Sequence, residues 1–172
     1  MDREQIVAAL TALGARLTAA GITADLYVVG GAAIALAYDE RRATKDIDAV
    51  FISKVEVYRA AHQVAEERGL PAGWLNDAVK GFLLGPGPFP TESLELPGLR
   101  CEIASAEMVL VLKALAHRVG EDDADLRLLA EKAGLGSATE VLDLVERVAG
   151  ARLLTAQVQF FVEAVMDAES GG

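Results

Sequence analysis

The chain has 172 residues, 52% of them hydrophobic and 24% charged, which supplies enough apolar side chain for a domain core and too much for a disordered chain. Its 16 Lys and Arg face 26 Asp and Glu, and the resulting net charge of −10 excludes nucleic-acid binding by general electrostatic attraction. It leaves room for a local basic patch or a basic protein partner. No apolar run reaches the ~18 residues a membrane span needs, so no membrane association is expected. The first residues, MDREQIV, carry acids where a signal peptide has an apolar segment. Cys101 is the single cysteine, which excludes an internal disulfide and fits a reducing, cytoplasmic location.

Taken in order, Ile6, Leu10, Leu13 and Leu17 recur at helical spacing and predict a helix from Asp2 to Ala20, stopped by Gly21. Leu26 to Phe51 reads as a strand, the pair Gly30-Gly31, a short helix, a turn, and a second strand opening on Asp46-Ile47-Asp48. Ser53-x-x-Glu56 has the form of a capping box and predicts a helix to about Arg68, ended by Gly69. Pro71 to Asp77 reads as a turn leading to a short helix or an irregular loop. Phe82 to Leu84 reads as a strand, and Gly85 to Pro90 as a loop, either a flap beside a site or a plain connection.

Leu99, Cys101 and Ile103 alternate with Arg100, Glu102 and Ala104, a strand pattern. Ser105 caps a helix to about Val119, broken at Gly120, and a second helix runs from Asp122 or Asp123 to Ala133. Ser137-x-x-Glu140 is a further capping box, for a helix to about Val148. Leu153 to Ala168 is a last helix with Leu154, Val158, Phe161, Val162 and Val165 on its apolar face. The expected fold class is α/β (α+β). A small mixed sheet flanked by helices spans residues 1–104, and a helical C-terminal bundle over residues 105–172 packs on it as one compact unit.

The chemistry concentrates in the first strand–helix–strand. Side chains alternate along a strand, so Asp46 and Asp48 share a face. Two neighbouring carboxylates repel unless a cation lies between them, and hard oxygen donors suit Mg²⁺. Gly30-Gly31 allows a tight turn and close approach of the backbone, and the helix that follows presents unpaired N–H groups suited to a phosphate. Together these are the equipment of phosphoryl or nucleotidyl transfer. The plain alternative, an acidic turn beside an ordinary strand–helix connection, has to hold clustered carboxylates without a cation, which is costly.

VVGGAAIALAYDERRATKDIDAVF resembles the nucleotidyltransferase superfamily, whose pattern is an apolar residue, G-[GS], and after a helix D-x-D. The wording Arg42-x-Thr44-x-Asp46-Ile47-Asp48 is similar to a bacterial branch holding abortive-infection and type IV toxin–antitoxin toxins. Trp74-Leu75-Asn76 and the stretch Leu99–Leu129, with Lys113, Arg118 and the D-x-x-D pair Asp122 and Asp125, extend the resemblance.

The resemblance implies that Asp46 and Asp48 hold Mg²⁺ and, through it, an NTP, with the Gly30 and Gly31 backbone, Arg42 and Thr44 on the nucleotide side. Gly31 stands where many relatives have Ser, so a hydroxyl is missing there. Lys113 would meet the nucleotide phosphates or the acceptor, and Asp122 or Asp125 would act as base or orient Lys113. Glu102 is the candidate third metal ligand, with a solvent-facing strand position as the alternative; Glu95 is a further candidate.

The residues themselves leave other choices open. Lys113, in an apolar run, either reaches water at the helix edge or meets a phosphate or carboxylate. Arg41 and Arg42 bind phosphate or acceptor, or pair with Asp39 and Glu40. His62 and His117 lack the companions of a zinc site. Cys101 and Trp74 are expected in the core, with base stacking the alternative for Trp74. The implied function is Mg²⁺-dependent transfer of an NMP from an NTP to an acceptor hydroxyl in a toxin–antitoxin or phage-defence setting. The acceptor would be a tRNA or a protein, with a cognate antitoxin or toxin as partner. A non-catalytic nucleotide- or partner-binding module and a small-molecule, antibiotic-type nucleotidyltransferase are the alternatives, and the acidic balance favours a protein or small-molecule acceptor over tRNA.

Overall fold

A computed structural model describes residues 1–77 and 92–168. The strand expected at Phe82–Leu84 and the loop at Gly85–Pro90 lie outside the described residues. The described chain forms two compact units, one from residues 1–77 and 92–104 and one from residues 105–168.

The first unit is a five-stranded mixed sheet with helices, an α+β arrangement. Helix α1 (Arg3–Ala19) opens on a capping box in which Asp2 accepts from Gln5 N and the Gln5 side chain accepts from Asp2 N. Strand β1 (Ala24–Val29) leads into α2 (Gly30–Ala33), which widens into a π-helical turn at Ile34–Tyr38. Strand β2 (Ile47–Phe51), helix α3 (Lys54–Arg68), β3 (Leu75–Asn76), β4 (Glu92–Leu96) and β5 (Leu99–Ile103) follow. The sheet order is β3-β2-β1-β5-β4, with β1 antiparallel to β2 and parallel to β5, β3 parallel to β2, and β4 antiparallel to β5.

One face of the sheet is dry. Leu26, Val28, Ile47, Ala49, Phe51, Leu99, Cys101 and Ile103 are all buried there. Helices α1 and α3 contribute Ile6, Leu10, Leu13, Leu17, Val57 and Val64 to the same core. Burying large aliphatic side chains is worth about 1.5–3 kcal/mol each, which makes this layer the main stabilising term. The other face carries Asp25, Tyr27, Asp48, Val50, Arg100 and Glu102, all exposed or half-buried. Alternation along β1, β2 and β5 therefore assigns Asp48 and Glu102 to the polar face.

Two local expectations change. Ser53 sits in the left-handed region at φ 58° and makes no side-chain cap, so Ser53-x-x-Glu56 is not a capping box although α3 starts and ends where expected. An N-cap needs extended backbone to aim its oxygen at the first turn. Pro71–Asp77 forms neither helix nor loose loop but a turn and the two-residue strand β3. Trp74 N donates to Pro71 O, and Ile47 N donates to Trp74 O at 2.7 Å, which extends β2 pairing back to the tryptophan. Trp74 is fully buried and its Nε1 donates to Ala61 O, so it is core and its polar atom is satisfied.

The second unit is helical: α4 (Ala106–Ala116), α5 (Asp123–Lys132), α6 (Ala138–Ala149) and α7 (Ala156–Asp167). Ser105 caps α4 through Met108 N, and Ser137 with Glu140 forms the expected capping box of α6. Helix α4 stops three residues before the expected Val119. Val158, Phe161, Val162 and Val165 bury the inner face of α7. His117 stacks on Phe161 with centroids 4.5 Å apart, a packing role. No described helix is long and apolar enough to cross a membrane.

Candidate functional site

In the first unit, Val29 leaves β1 in extended backbone and Gly30 turns at φ 61°, a left-handed conformation that costs any residue with a Cβ roughly 1–2 kcal/mol. Space adds a second reason for glycine. A Cβ on Gly30 would stand 2.9 Å from Asp48 Oδ2, and one on Gly31 would stand 2.9 Å from Thr44 Oγ1 and 3.2 Å from Thr44 Cβ. The glycine pair thus lets the backbone run against the Asp48 carboxylate and the Thr44 side chain. Thr44 Oγ1 donates to Asp46 O at 3.0 Å, so the same hydroxyl ties the loop to the start of β2. Any Cβ at position 31, a serine's included, would crowd the Thr44 side chain.

The loop between the π-helical turn and β2 is ordered by its own backbone. Asp39 N donates to Ile34 O, Arg42 N to Asp39 O, and Arg41 N to the Asp39 carboxylate. Thr44 N donates to Met1 O at 2.9 Å. The Asp39 carboxylate thus meets the Arg41 backbone N–H, and Glu40 lies 4.0 Å from Arg3.

Asp46 and Asp48 lie two residues apart at the start of β2. In-register pairing sets Asp48 across from Val29 on one side and Asn76 on the other. Asn76 Nδ2 donates to Asp46 Oδ2 at 3.0 Å. Just beyond, the buried Asp77 carboxylate accepts from Lys54 Nζ, and Asp77 N donates to the Tyr58 hydroxyl at 3.2 Å. Tyr58 stands edge-on to Phe51 at 5.3 Å. The sequence reading gave Asn76, Asp77, Lys54 and Tyr58 no role; the only signal was the position of Trp74-Leu75-Asn76.

Glu102 shares the polar face but pairs with Tyr27, which pairs with Val50. It is two strands from Asp48, about 10 Å sideways, and one pleat period, about 7 Å, along the strands. Among the described residues no three His, Cys, Asp or Glu side chains group to hold a metal, so Glu102 does not join Asp46 and Asp48 as a third ligand in this arrangement. Its visible effect is on Tyr27, whose hydroxyl is pushed up to about 12, first by burial and then by the Glu102 charge. Burial, with a smaller contribution from Glu95, likewise pushes the Cys101 thiol up to about 12. The thiol is thus a core group with no thiolate at neutral pH.

The donor set of the first unit fits Mg²⁺. The ion is held by one or two carboxylates and completed by water and substrate phosphates rather than by an all-protein cage. Asp46, just before β2, and Asp48, within it, are two hard-oxygen donors two positions apart, and a Cβ on Gly30 would stand 2.9 Å from Asp48 Oδ2.

The second unit holds the other expected residues. Lys113 Nζ donates to Asp122 Oδ1 at 2.5 Å and to Asp125 Oδ2 at 2.9 Å, tying α4 to α5. Both carboxylates are 4% exposed and Lys113 is 15% exposed, so the lysine meets carboxylates and does not reach out to water. Asp122 also accepts from Arg118 N at 2.8 Å and from the Arg118 guanidinium. Burial raises its pKa, but the bonds from Lys113 and Arg118 outweigh burial and hold it below the usual carboxylate value. Both members of the acidic pair hold the Lys113 ammonium.

The structure thus brings Gly30, Gly31, Thr44, Asp46 and Asp48 together in one unit and Lys113, Asp122 and Asp125 in the other. In comparisons with family models, curated proteins and solved structures, nothing matches the chain.

Proposed function

We propose that this chain is a Mg²⁺-dependent nucleotidyltransferase that moves an NMP from an NTP to an acceptor hydroxyl. The observation that carries the reading is the closeness of Gly30 to the Asp48 carboxylate, where a Cβ would stand 2.9 Å from Oδ2, with Asp46 two residues before it. Clustered carboxylates favour a cation, and glycine at position 30 leaves the space beside Asp48 Oδ2 that a Cβ would take. Bound there, Mg²⁺ would neutralise triphosphate charge and favour in-line displacement of pyrophosphate. The chain's own part is to hold the two carboxylates, admit phosphate against the glycine backbone, and fix the loop through Thr44.

The setting we propose is a toxin–antitoxin or phage-defence pair. Net charge −10 supports a protein or small-molecule acceptor over tRNA. The test incubates the chain with α-labelled NTPs, Mg²⁺ and three acceptor pools: tRNA, cell protein and a hydroxyl-bearing antibiotic. Label in one pool supports the reading and names the acceptor. Calorimetric binding of Mg²⁺–NTP without transfer to any pool favours the non-catalytic binding module instead.

A further inference from the structure

Asn76 forms a link from the core to the site. It lies on β3, beside Asp48 in register, and its Nδ2 is 3.0 Å from Asp46 Oδ2. The two-residue strand is too short to fix a side chain by sheet pairing alone. Its ends are instead anchored on both sides. Before it, Trp74 is fully buried, bonded through Nε1 to Ala61 O and through its carbonyl to Ile47 N. After it, Asp77 is buried against Lys54 Nζ, with its N–H on the Tyr58 hydroxyl. Helix α3 supplies Ala61, Lys54 and Tyr58, so one helix clamps both flanks of Asn76.

We infer that Asn76 is a positioning residue for the Asp46 carboxylate. The inference rests on the reading of Asp46 and Asp48 as the cation site and adds to it a residue with no assigned role. The amide is neutral. It fixes the rotation of the Asp46 carboxylate through one oxygen without cancelling its charge, as a lysine or arginine there would. Among the described residues Asp46 Oδ1 has no hydrogen bond, which leaves that oxygen for the cation. Partners of this kind, one step behind a ligating carboxylate, typically change metal affinity by about 10–100-fold when removed.

The test is an EPR titration with Mn²⁺, standing in for Mg²⁺, on the wild type, Asp46→Ala, Asn76→Ala and the similar-sized Asn76→Leu, with thermal unfolding followed in parallel. The expected result is a Mn²⁺ site in the wild type, lost in Asp46→Ala, and weakened by about 10-fold or more in whichever Asn76 variant unfolds near the wild-type temperature. Equal weakening in both variants supports the lost hydrogen bond over lost volume. Wild-type affinity in either folded Asn76 variant overturns the role of Asn76 while leaving the cation site standing. A wild type with no Mn²⁺ site, or one unchanged by Asp46→Ala, overturns both.

Discussion

The backbone of Gly30 presses against the carboxylate of Asp48, so closely that a single methyl on the glycine would meet Asp48 Oδ2 at 2.9 Å. Gly30→Ala therefore carries two penalties, a left-handed alanine and a displaced carboxylate. The left-handed backbone alone costs about 1–2 kcal/mol. The expected outcome is that loss in urea unfolding, together with loss of Mn²⁺ binding. A variant of wild-type stability and metal affinity would contradict the contact.

Gly31 gives a reversed expectation. A serine at this position would supply a hydroxyl for a phosphate. Here the new Cβ would meet Thr44 Oγ1 at 2.9 Å and Cβ at 3.2 Å. Gly31→Ser is expected to lower both stability and nucleotide affinity, and Thr44→Ala in the same chain to recover part of the stability. Thermal melts and calorimetry with an NTP check this. Improved nucleotide binding by the single variant would count against it.

Lys113 is the centre of a buried ion group in the second unit. Lys113→Ala leaves Asp122 and Asp125 without their cation, and breaking a buried pair in this way costs about 3–5 kcal/mol. The pH dependence has a definite sign. Asp122 is held below its ordinary 3.8, so its contribution is full above that value and is lost as pH falls through the lower folded value. Unfolding free energy measured from pH 5 downwards should fall below about 3.8 in the wild type, and less steeply in Asp122→Asn.

The opposite sign applies at alkaline pH. Tyr27 is raised from 10.0 to about 12 and Cys101 from 9.0 to about 12, so each favours its protonated form when folded. Their contributions are intact below the ordinary values and are lost as pH rises towards 12. Carbon-13 NMR of the Tyr27 ring should titrate near 12, and Glu102→Gln should bring it down only in part, because burial is the larger cause. Cys101 should resist alkylation at neutral pH until the chain is unfolded.

The helices and strands of the core were legible because their signals are local. Leu99, Cys101 and Ile103 alternate, and Ile6, Leu10, Leu13 and Leu17 repeat at helical spacing, each pattern sufficient to define a buried face. Asp46 and Asp48 stand out in the sequence by their two-residue spacing before an apolar run. Asn76 does not. Its role depends on β3 pairing with β2, a contact between residues 30 positions apart, and on a strand too short to show alternation. Ser53 misled because a capping-box spelling does not carry the backbone angle, and its φ of 58° places the side chain away from the helix start. Glu102 followed the strand pattern correctly onto the polar face, but which strands lie between it and Asp48 is a matter of sheet order, which alternation does not encode.

Transfer of label from an α-labelled NTP to an acceptor, compared between the wild type, Asp46→Ala and Asp48→Ala, tests the proposed chemistry most directly. Incorporation that needs Mg²⁺ and disappears in both variants, with their folds intact by circular dichroism, is the expected result. Incorporation that persists unchanged in either variant would contradict the assignment of this site.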